Sequence, residues 1–311
     1  MRKRNNNPVK QSIPHDLRYT MMDFNAEFPS DDSCLEYIAK QRFPEGRTLC
    51  PKCKVSRKHH RVSGRTAYAC DHCGNHIFPL AGTIFEKTST SLKVWFYAMY
   101  LMGSTRCGIS AKQVQRETGV TYKTAWRMFN QIRTLLSDGD IQLSNSSVEV
   151  DETYIGGRRK GSRGRPMRGD KRSVPVVGIA QRNGRVIARV TKDATSKTLK
   201  SLIRKHVAPG SVIYTDEYPA YNTISEGRRY THKRIKHASG VYVHGDIHTN
   251  TVEGLWSLIK RGIGGVYHSV SPDNLQSYLD EYCFRYNRRH EGNTQFKSIL
   301  ERASRSSGRH S

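Results

Sequence analysis

The sequence has no run of about 18 consecutive apolar residues, so no membrane-spanning helix is expected. Residues 1–10 are basic and rich in asparagine, and no apolar segment follows them. Because a secretory signal needs such a segment, none is expected here. We interpret residues 1–40 as a basic arm followed by a short helix that is capped between Ser30 and Ser33.

Acidic residues are scarce relative to basic ones. Asp and Glu number 27 against 52 Lys and Arg, which leaves a formal net charge of +25. An excess of this size goes well beyond what solubility needs and indicates a polyanionic partner. Nucleic acid is the commonest such partner, because each phosphate that a cation neutralises releases counterions.

The seven cysteines cannot all pair with one another, and four of them form two C-x-x-C units. Cys50 and Cys53 are followed, after sixteen residues, by Cys70 and Cys73. This spacing is a strong zinc signal, and four thiolates close a tetrahedral site that leaves no position for chemistry. Redox-active pairs are the alternative, but nothing thioredoxin-like surrounds them. We therefore predict a zinc ribbon at residues 45–85 with one structural Zn²⁺.

The ribbon segment also carries basic residues, which could contact DNA or simply form a solvated face. They are Lys52, Lys54, Arg57, Lys58, Arg61 and Arg65.

Residues 88–140 have the pattern of a helical DNA-binding region. Residues 89–102 combine a polar start with an apolar face, which predicts a buried helix. Ser110 and Thr121 can each cap a following helix, and Gly119 between them suits the turn of a helix-turn-helix. An ordinary helical hairpin has the same local pattern, but the charge of the chain favours DNA binding. Three side chains would then lie near the start of the recognition helix: Tyr122, Lys123 and Arg127.

A second candidate DNA contact is the segment 156–172, which is rich in Gly, Arg and Lys. We interpret it as a flexible loop whose cations can follow a DNA backbone. Its first three basic residues are Arg158, Arg159 and Lys160.

Residues 145–300 alternate between strand and helix patterns. Strands are predicted at 147–155, 173–181, 185–191 and 211–216, with a weaker one near 234–243, and helices at 196–207, 249–262 and 273–289. Asn183-Gly184 predicts a two-residue hairpin turn between the second and third strands. The order indicates a mixed sheet with helices on its faces, an α/β arrangement that matches the RNase H-like fold. A basic tail is assigned to 301–311.

Acidic side chains lie where strand and helix ends would meet in such a fold. Asp151 and Asp216 each close an apolar strand, and Glu253 lies on the later helix, on the same face as Asn250 and Lys260. Phosphodiester cleavage is commonly carried out by two divalent ions about 4 Å apart, which acids from separate elements hold. Each Asp by itself could be a turn residue. Together the residues predict a two-metal site in which Lys260 holds a DNA phosphate.

Three motifs follow one another in this half of the chain: VEVDETYIGG at 148–157, YTDEYPAY at 214–221 and HTNTVEGLWSLIKR at 248–261. With the segment 279–289, the ribbon and the helices after it, they resemble the zinc-ribbon DDE transposases of the ISXO/Merlin insertion-sequence group. The resemblance covers roughly residues 30–295, and three ordered motifs are a specific combination.

This resemblance implies an RNase H-like catalytic domain at 145–300. Such a domain nicks DNA at insertion-sequence ends by water attack and joins the freed 3′ hydroxyl to target DNA. Asp151 and Asp216 take the two Asp positions. Glu253 is the preferred third residue because its spacing to Lys260 is typical of such transposases, and Asn250 is the second choice. Two Mg²⁺ or Mn²⁺ ions per active site, a homo-oligomer on the element's terminal repeats and on target DNA, and a cytoplasmic, nucleoid-associated location are implied as well.

Two other functions remain open at this point. A non-catalytic or repurposed DNA-binding regulator with the same domains would explain the charge, the ribbon and the helices. A nuclease of the same fold that does not transfer strands would explain the acids too.

Overall fold

The computed structural model describes residues 17–105, 107–143, 147–156, 173–225, 228–235 and 249–305. The described parts of Met1–Ser104 and Arg288–Ser311 form one compact unit, and those of Thr105–Asn287 form a second. The predicted basic arm, the loop with Arg158, Arg159 and Lys160, most of the weak strand near 234–243 and the end of the tail lie outside the described residues. The domain boundaries drawn from the sequence stay predictions.

The helices and strands follow one another along the chain in this order: α1 (Met21–Glu27), α2 (Asp31–Arg42), β1 (Arg47–Leu49), β2 (Ser56–Arg61), β3 (Tyr68–Cys70), β4 (His76–Ile77), α3 (Leu92–Ser104), α4 (Ala111–Thr118), α5 (Tyr122–Thr134), β5 (Ser147–Ile155), β6 (Val174–Gln181), β7 (Val186–Val190), α6 (Ser196–His206), β8 (Val212–Thr215), β9 (Thr231–Arg234), α7 (Asn250–Gly262), α8 (Pro272–Asn287) and α9 (Gln295–Ser304).

The first unit packs α1, α2, α3 and α9 around aromatic side chains and carries a four-stranded antiparallel sheet, β1–β2–β3–β4. Phe28 and Phe96 meet edge to face with ring centroids 5.0 Å apart, and Phe296 from the far end of the chain joins them. Ser30 and Ser33 form a reciprocal cap at the start of α2, which confirms the predicted helix start.

The helix-turn-helix elements form as predicted. The hydroxyls of Ser110 and Thr121 accept hydrogen bonds of 3.2 Å from the backbone N–H groups of Gln113 and Thr124, so each caps its helix. Gly119 ends α4 with a φ of 73°, a left-handed conformation that glycine adopts without steric cost. The two helices lie in the second unit.

The second unit is built on a five-stranded mixed sheet in the order β7–β6–β5–β8–β9. The β7–β6–β5 pairs are antiparallel, whereas β8 runs parallel to β5 and β9 runs parallel to β8. Helices cover both faces: α6 packs against one, while α7 and α8 pack against the other. This is the α/β, RNase H-like architecture that the order of elements predicts.

The hairpin between β6 and β7 corrects one detail of the prediction. The backbone N–H of Gln181 donates to the carbonyl of Arg185, so the loop that this hydrogen bond closes has three residues, 182–184, rather than two. Asn183 takes the left-handed conformation, with a φ of 56°. The backbone N–H of Arg182 is meanwhile bonded to Ser147 O, which continues the pairing with β5 and keeps Arg182 out of a tight two-residue turn.

A buried ion network joins the helix-turn-helix to the sheet-bearing part of the second unit. Arg133 of α5 donates through Nε to Glu281 Oε2 of α8 at 2.6 Å, and Arg285 Nη2 contacts Glu281 Oε1 at 2.6 Å. Tyr267 donates its hydroxyl to the same oxygen at 3.0 Å. Burial by itself raises the pKa of Glu281, but Arg285 and Arg133 outweigh it and hold that pKa at about 2.

We expect Glu281→Gln to destabilise the protein by about 3–5 kcal/mol at neutral pH, because two buried guanidinium groups would lose their counter-charge. The folded pKa of Glu281 lies below its ordinary value of 4.5, so the stabilisation is complete above that pH and is lost as pH falls toward 2. Urea unfolding at pH 7 and at pH 3 measures both effects, and the difference between variant and wild type should narrow at pH 3.

Glu36→Gln is the matched control, because Glu36 forms an exposed ion pair with Lys40 on one helix. Its loss should cost at most about 1 kcal/mol. Equal effects of the two substitutions would refute the structural importance of the buried network.

Candidate functional site

Strand β5 places acids on two faces of the sheet. Val148 and Val150 are buried in the cluster that includes α6, whereas Glu149 and Asp151 alternate onto the face that α7 covers. The predicted alternation of this strand is therefore confirmed. Asp151 lies five residues into the strand and is partly buried.

Asp216 follows β8, which runs parallel to β5. Glu149 pairs with Tyr214 in that ladder, so continuing the register by two residues sets Asp216 beside Asp151. Glu149 and Tyr214 both contact the Arg182 guanidinium, so their side chains lie on the same face of the sheet. Because side chains alternate between the two faces, Asp151 and Asp216, each two residues further along, lie on that face as well. The structure thus brings the two predicted Asp residues side by side on neighbouring strands. Only Asp216 follows the end of its strand, whereas Asp151 lies in the middle of β5 and does not close it as the sequence predicted, because pairing with β6 continues to Ile155.

The pKa of Asp151 is raised to about 7. Burial is the largest cause, and the negative charges of Glu152 and Asp216 add to it, while the hydrogen bond from Trp256 opposes it. Neither Asp151 nor Asp216 forms an ion pair with any residue that the structure describes. Negative charge is therefore concentrated here, and no cation from the described part of the chain is paired with either Asp.

Two neighbouring acids of the same strand, Glu149 and Glu152, are held by hydrogen bonds from protein donors. The Glu149 carboxylate is fully buried and accepts from Arg182 Nε at 2.9 Å and from the backbone N–H of Thr251 at 2.8 Å. Glu152 accepts the hydroxyl of Tyr221 at 2.7 Å.

The three predicted residues of α7 all lie on its exposed face: Asn250, Glu253 and Lys260. Glu253 is in the first turn and accepts the Thr249 hydroxyl at 2.7 Å. The opposite face, with Val252 and Leu255, is buried against the sheet. The predicted division of this helix into a core face and a polar face is confirmed.

Asp151, Asp216 and Glu253 do not form a compact three-acid group. Within the described part of the chain, the four cysteines are the one such group whose ligand atoms all lie within 4.8 Å of one another. The ligand atoms of a single ion must lie about that close together, whereas the ligand atoms of two ions about 4 Å apart are separated by larger distances. The assignment of these three residues as metal ligands stays a prediction.

Sequence reasoning misses the contact that Trp256 makes with Asp151. The apolar pattern of α7 predicts only a core role for Trp256, and the residue is indeed buried. Its indole Nε1 also donates to Asp151 Oδ2 at 2.9 Å. The spacing of three residues between Glu253 and Trp256 was visible in the sequence, but the pairing with a strand 105 positions away was not.

The exposed surface of α5 carries the three residues predicted to bind DNA. Tyr122 is 47% exposed, and Lys123 and Arg127 are exposed too. Trp126, one turn after Tyr122, is 42% exposed and was not singled out from the sequence. This surface therefore combines cations with two partly exposed aromatic side chains.

The cysteine cluster has the geometry of a zinc ribbon. Cys50 Sγ lies 3.6 Å from Cys73 Sγ, and Cys53 Sγ lies 4.0 Å from Cys70 Sγ. Sulfur atoms in a tetrahedron with Zn–S bonds of about 2.3 Å are separated by about 3.8 Å. The backbone N–H of Cys53 donates to Cys50 Sγ and lowers the pKa of Cys50, whereas the hydrogen bond with Cys73 and burial raise the pKa of Cys53. The donor set fits one structural Zn²⁺.

The comparison with known proteins agrees with both halves of this description. Residues 142–287 match the ISXO2-like transposase domain, and residues 29–76 match the transposase zinc-ribbon domain. A protein in transposable element ISH50 of Halobacterium salinarum is 31% identical over 296 residues, which span 89% of this chain and 98% of that protein. The chain belongs to the ISXO2-like transposase family. The family resemblance predicted from the three motifs is thereby confirmed.

More distant similarities carry less weight for this transposase-family chain. A transposase-like protein of Haemophilus influenzae is 26% identical over 116 residues, which span 37% of this chain and 88% of that protein. The Mos1 pre-cleavage transpososome is 12% identical with a TM-score of 0.27, covering 63% of this chain and 75% of its own. The Mos1 strand transfer complex is 9% identical with a TM-score of 0.28, covering 63% and 74%. At these TM-scores the two structures support no argument about this chain. Separately, none of the helices that the structure describes could cross a membrane.

We expect Cys50→Ser to unfold the ribbon and abolish its zinc content, because three thiolates close the tetrahedral site poorly and the metal stabilises this small sheet. Zinc measured by atomic absorption and limited proteolysis of the ribbon test this. Cys107→Ser is the control, because Cys107 is exposed and outside the cluster. Full zinc content in the Cys50 variant would contradict the assignment.

We expect Asp151→Asn to stabilise the magnesium-free protein at pH 8 but not at pH 4. The folded pKa of Asp151 lies above its ordinary value of 3.8, so ionisation costs stability as pH rises from about 4 to about 7, and Asn does not ionise. Thermal unfolding at the two pH values measures the effect.

Asp193→Asn should have the opposite effect on stability at pH 8, because hydrogen bonds from Thr198 and Thr195 hold the pKa of Asp193 at about 2. That substitution should lower the midpoint of unfolding at pH 8. A gain from Asp151→Asn that is the same at pH 4 and pH 8 would show that charge is not its cause.

Proposed function

We propose that this chain is a metal-dependent DNA transposase. It cleaves phosphodiester bonds at the ends of an insertion sequence and transfers the 3′ strand to target DNA, with Asp151, Asp216 and Glu253 holding a pair of divalent ions. The observation that carries the proposal is the parallel register of β5 and β8, which sets Asp216 beside Asp151 with no cation between them among the described residues.

The chemistry of the donor set fits Mg²⁺ or Mn²⁺. The three side chains offer only carboxylate oxygens, which are the ligands that these ions prefer. Burial is the largest cause of the raised pKa of Asp151, and the charges of Glu152 and Asp216 add to it; a bound cation would favour the ionised carboxylate. When bound, the ions would stabilise the negative charge that develops on the attacking and leaving oxygens.

The other residues hold DNA in this proposal. Lys260 lies on the same exposed face of α7 as Glu253, where its ammonium group can bind a phosphate next to the acids. Lys123 and Arg127 of α5 would neutralise phosphates, and Tyr122 would contact the DNA from the start of the same helix. The basic loop with Arg158, Arg159 and Lys160 is proposed to follow the backbone further.

Two successive displacements at phosphorus account for the reaction. In the first, water attacks the phosphodiester at the element end, and the 3′ oxygen leaves as a hydroxyl after taking up a proton. In the second, that hydroxyl attacks a target phosphodiester, forms the new P–O bond, loses its proton and displaces the target's own 3′ oxygen. No covalent protein intermediate is needed. Because both element ends must be joined, we propose a homo-oligomer on DNA.

We expect Asp151→Asn and Asp216→Asn to reduce cleavage by at least about 100-fold, because even an outer partner of a metal ligand can be worth that much. Binding to the same DNA should persist. The measurement is single-turnover nicking of a labelled duplex taken from the DNA flanking this gene, with Mg²⁺ and the full chain. Glu253→Gln and Asn250→Ala compare the two candidates for the third position, and we expect only the first to abolish nicking.

Asp273→Asn is the control, because Asp273 is an exposed acid in the first turn of α8. Wild-type nicking by either Asp variant would overturn the assignment. Tight binding of element ends without nicking by the unmodified protein would favour the DNA-binding regulator. Nicking without joining would favour the nuclease.

A further inference from the structure

Helix α7 begins without a cap of its own. Thr249 occupies the N-cap position but makes no capping bond with its side chain. The first N–H groups of a helix need acceptors, and a carboxylate there also interacts favourably with the helix dipole. Here the acceptor comes from β5: Glu149 Oε2 accepts the backbone N–H groups of Thr251 and Val252 at 2.8 and 3.1 Å.

The Glu149 carboxylate is enclosed by donors. It has no solvent exposure, and its other oxygen accepts from the Thr251 hydroxyl at 3.0 Å and from Arg182 Nε at 2.9 Å. The Arg182 guanidinium is itself held 4.0 Å from the Tyr214 ring centroid. A buried carboxylate is costly unless such donors surround it. The surroundings of Glu149 are therefore specific for a carboxylate.

A second contact ties the next turn of α7 to β5. Trp256 Nε1 donates to Asp151 Oδ2 at 2.9 Å. The indole lies over Gly178, which pairs with Asp151 across β5 and β6. A Cβ atom at position 178 would come within 2.5 Å of the indole Cζ2 and 2.9 Å of Val252 Cγ2. The close approach of α7 to the sheet therefore requires glycine at this position.

The two contacts together fix how α7 lies on the strand. Glu149 and Asp151 are two residues apart on one strand face, and Val252 and Trp256 are four apart on one helix face. A slip of one helical residue would move α7 by about 1.5 Å and turn it by about 100°, which breaks both contacts. Glu253 is next to Val252 and would move with it, whereas a working metal site tolerates only about 0.5 Å.

We propose that Glu149 and Trp256 are positioning residues that hold α7 on β5, so that Glu253 keeps a fixed place relative to Asp151. This inference rests on the proposed function. It assigns neither residue to the metal ions themselves: Glu149 acts through the helix start, and Trp256 through the orientation of the Asp151 carboxylate.

Trp256→Phe is the decisive variant, because it keeps an aromatic ring in the core and removes the N–H donor. We expect Mn²⁺ affinity of the full chain, measured without DNA from the electron paramagnetic resonance signal of free Mn²⁺, to fall by about 10- to 100-fold. The Mg²⁺ concentration for half-maximal nicking should rise in parallel, while nicking at saturating Mg²⁺ recovers toward wild type. A merely structural role would not give this recovery.

Trp95→Phe is the matched control, because Trp95 is also fully buried and its indole donates to the Thr88 hydroxyl at 3.0 Å in the other unit. It should leave Mn²⁺ affinity unchanged. Glu149→Gln should lower Mn²⁺ affinity as Trp256→Phe does, and its control is Asp280→Asn, which removes a half-buried carboxylate partner of Arg189. Unfolding midpoints of all four variants show how much of any effect is loss of the fold.

The outcomes separate the inference from the function on which it rests. If unmodified protein neither binds Mn²⁺ nor nicks DNA, the proposed function fails and the inference fails with it. If unmodified protein does both, and Trp256→Phe matches Trp95→Phe in Mn²⁺ affinity and Mg²⁺ dependence, the positioning role is overturned while the function stands.

Discussion

The electrostatics of β5 constrain the rest of the second unit. This strand is in the middle of the sheet, between β6 and β8, and it carries acids on a face that α7 covers. Carboxylates in such a place lose hydration and repel one another. The chain treats two of them in opposite ways: Glu149 is fully satisfied by Arg182 and the start of α7, whereas Asp151 has one indole donor and no ion pair among the described residues. Glu149 therefore stabilises the contact between α7 and the sheet, whereas no cation among the described residues balances the charge of Asp151.

Features set by local sequence could be predicted well. The caps at Ser110 and Thr121 and the left-handed Gly119 are decided within a few residues, so the helix-turn-helix was visible in the sequence. The cysteine spacing reports a constraint that the metal itself imposes. The positions of most strands along the chain followed from alternation and length, and Asp151 and Asp216 were found because each follows a short apolar run, although Asp151 lies in the middle of β5.

Features set by distant contacts could not be predicted. Nothing near Trp256 shows that its indole reaches Asp151, and nothing near Gly178 shows that an indole lies over it. The hairpin turn was predicted one residue too short because the backbone of Arg182 pairs with Ser147, and that contact lies outside the dipeptide signal. Periodicity shows that a helix has a buried face, but it does not show which surface covers that face.

The position of α5 illustrates the same limit and matters for function. Its buried face packs on α8, and Arg133 reaches Glu281 in the interior. The exposed face with Lys123 and Arg127 is therefore part of the same compact unit as the acids of β5 and β8. In the proposed reaction, α5 would therefore hold DNA from the same compact unit that carries Asp151 and Asp216.

In the proposed metal site, charge balance favours Glu253 over Asn250 as the third residue. Two divalent ions bring four positive charges. In the proposed site, Asp151, Asp216 and Glu253 would supply three negative charges and the scissile phosphate a fourth, so these charges would balance. With Asn250 one positive charge would be left over. Glu253 can also turn at small cost, since the Thr249 hydroxyl is its one hydrogen-bond donor among the described residues. Because Glu149 already accepts the N–H groups of Thr251 and Val252 at the start of α7, Glu253 is not needed as the cap of its own helix and would be available to the ions in the proposed site.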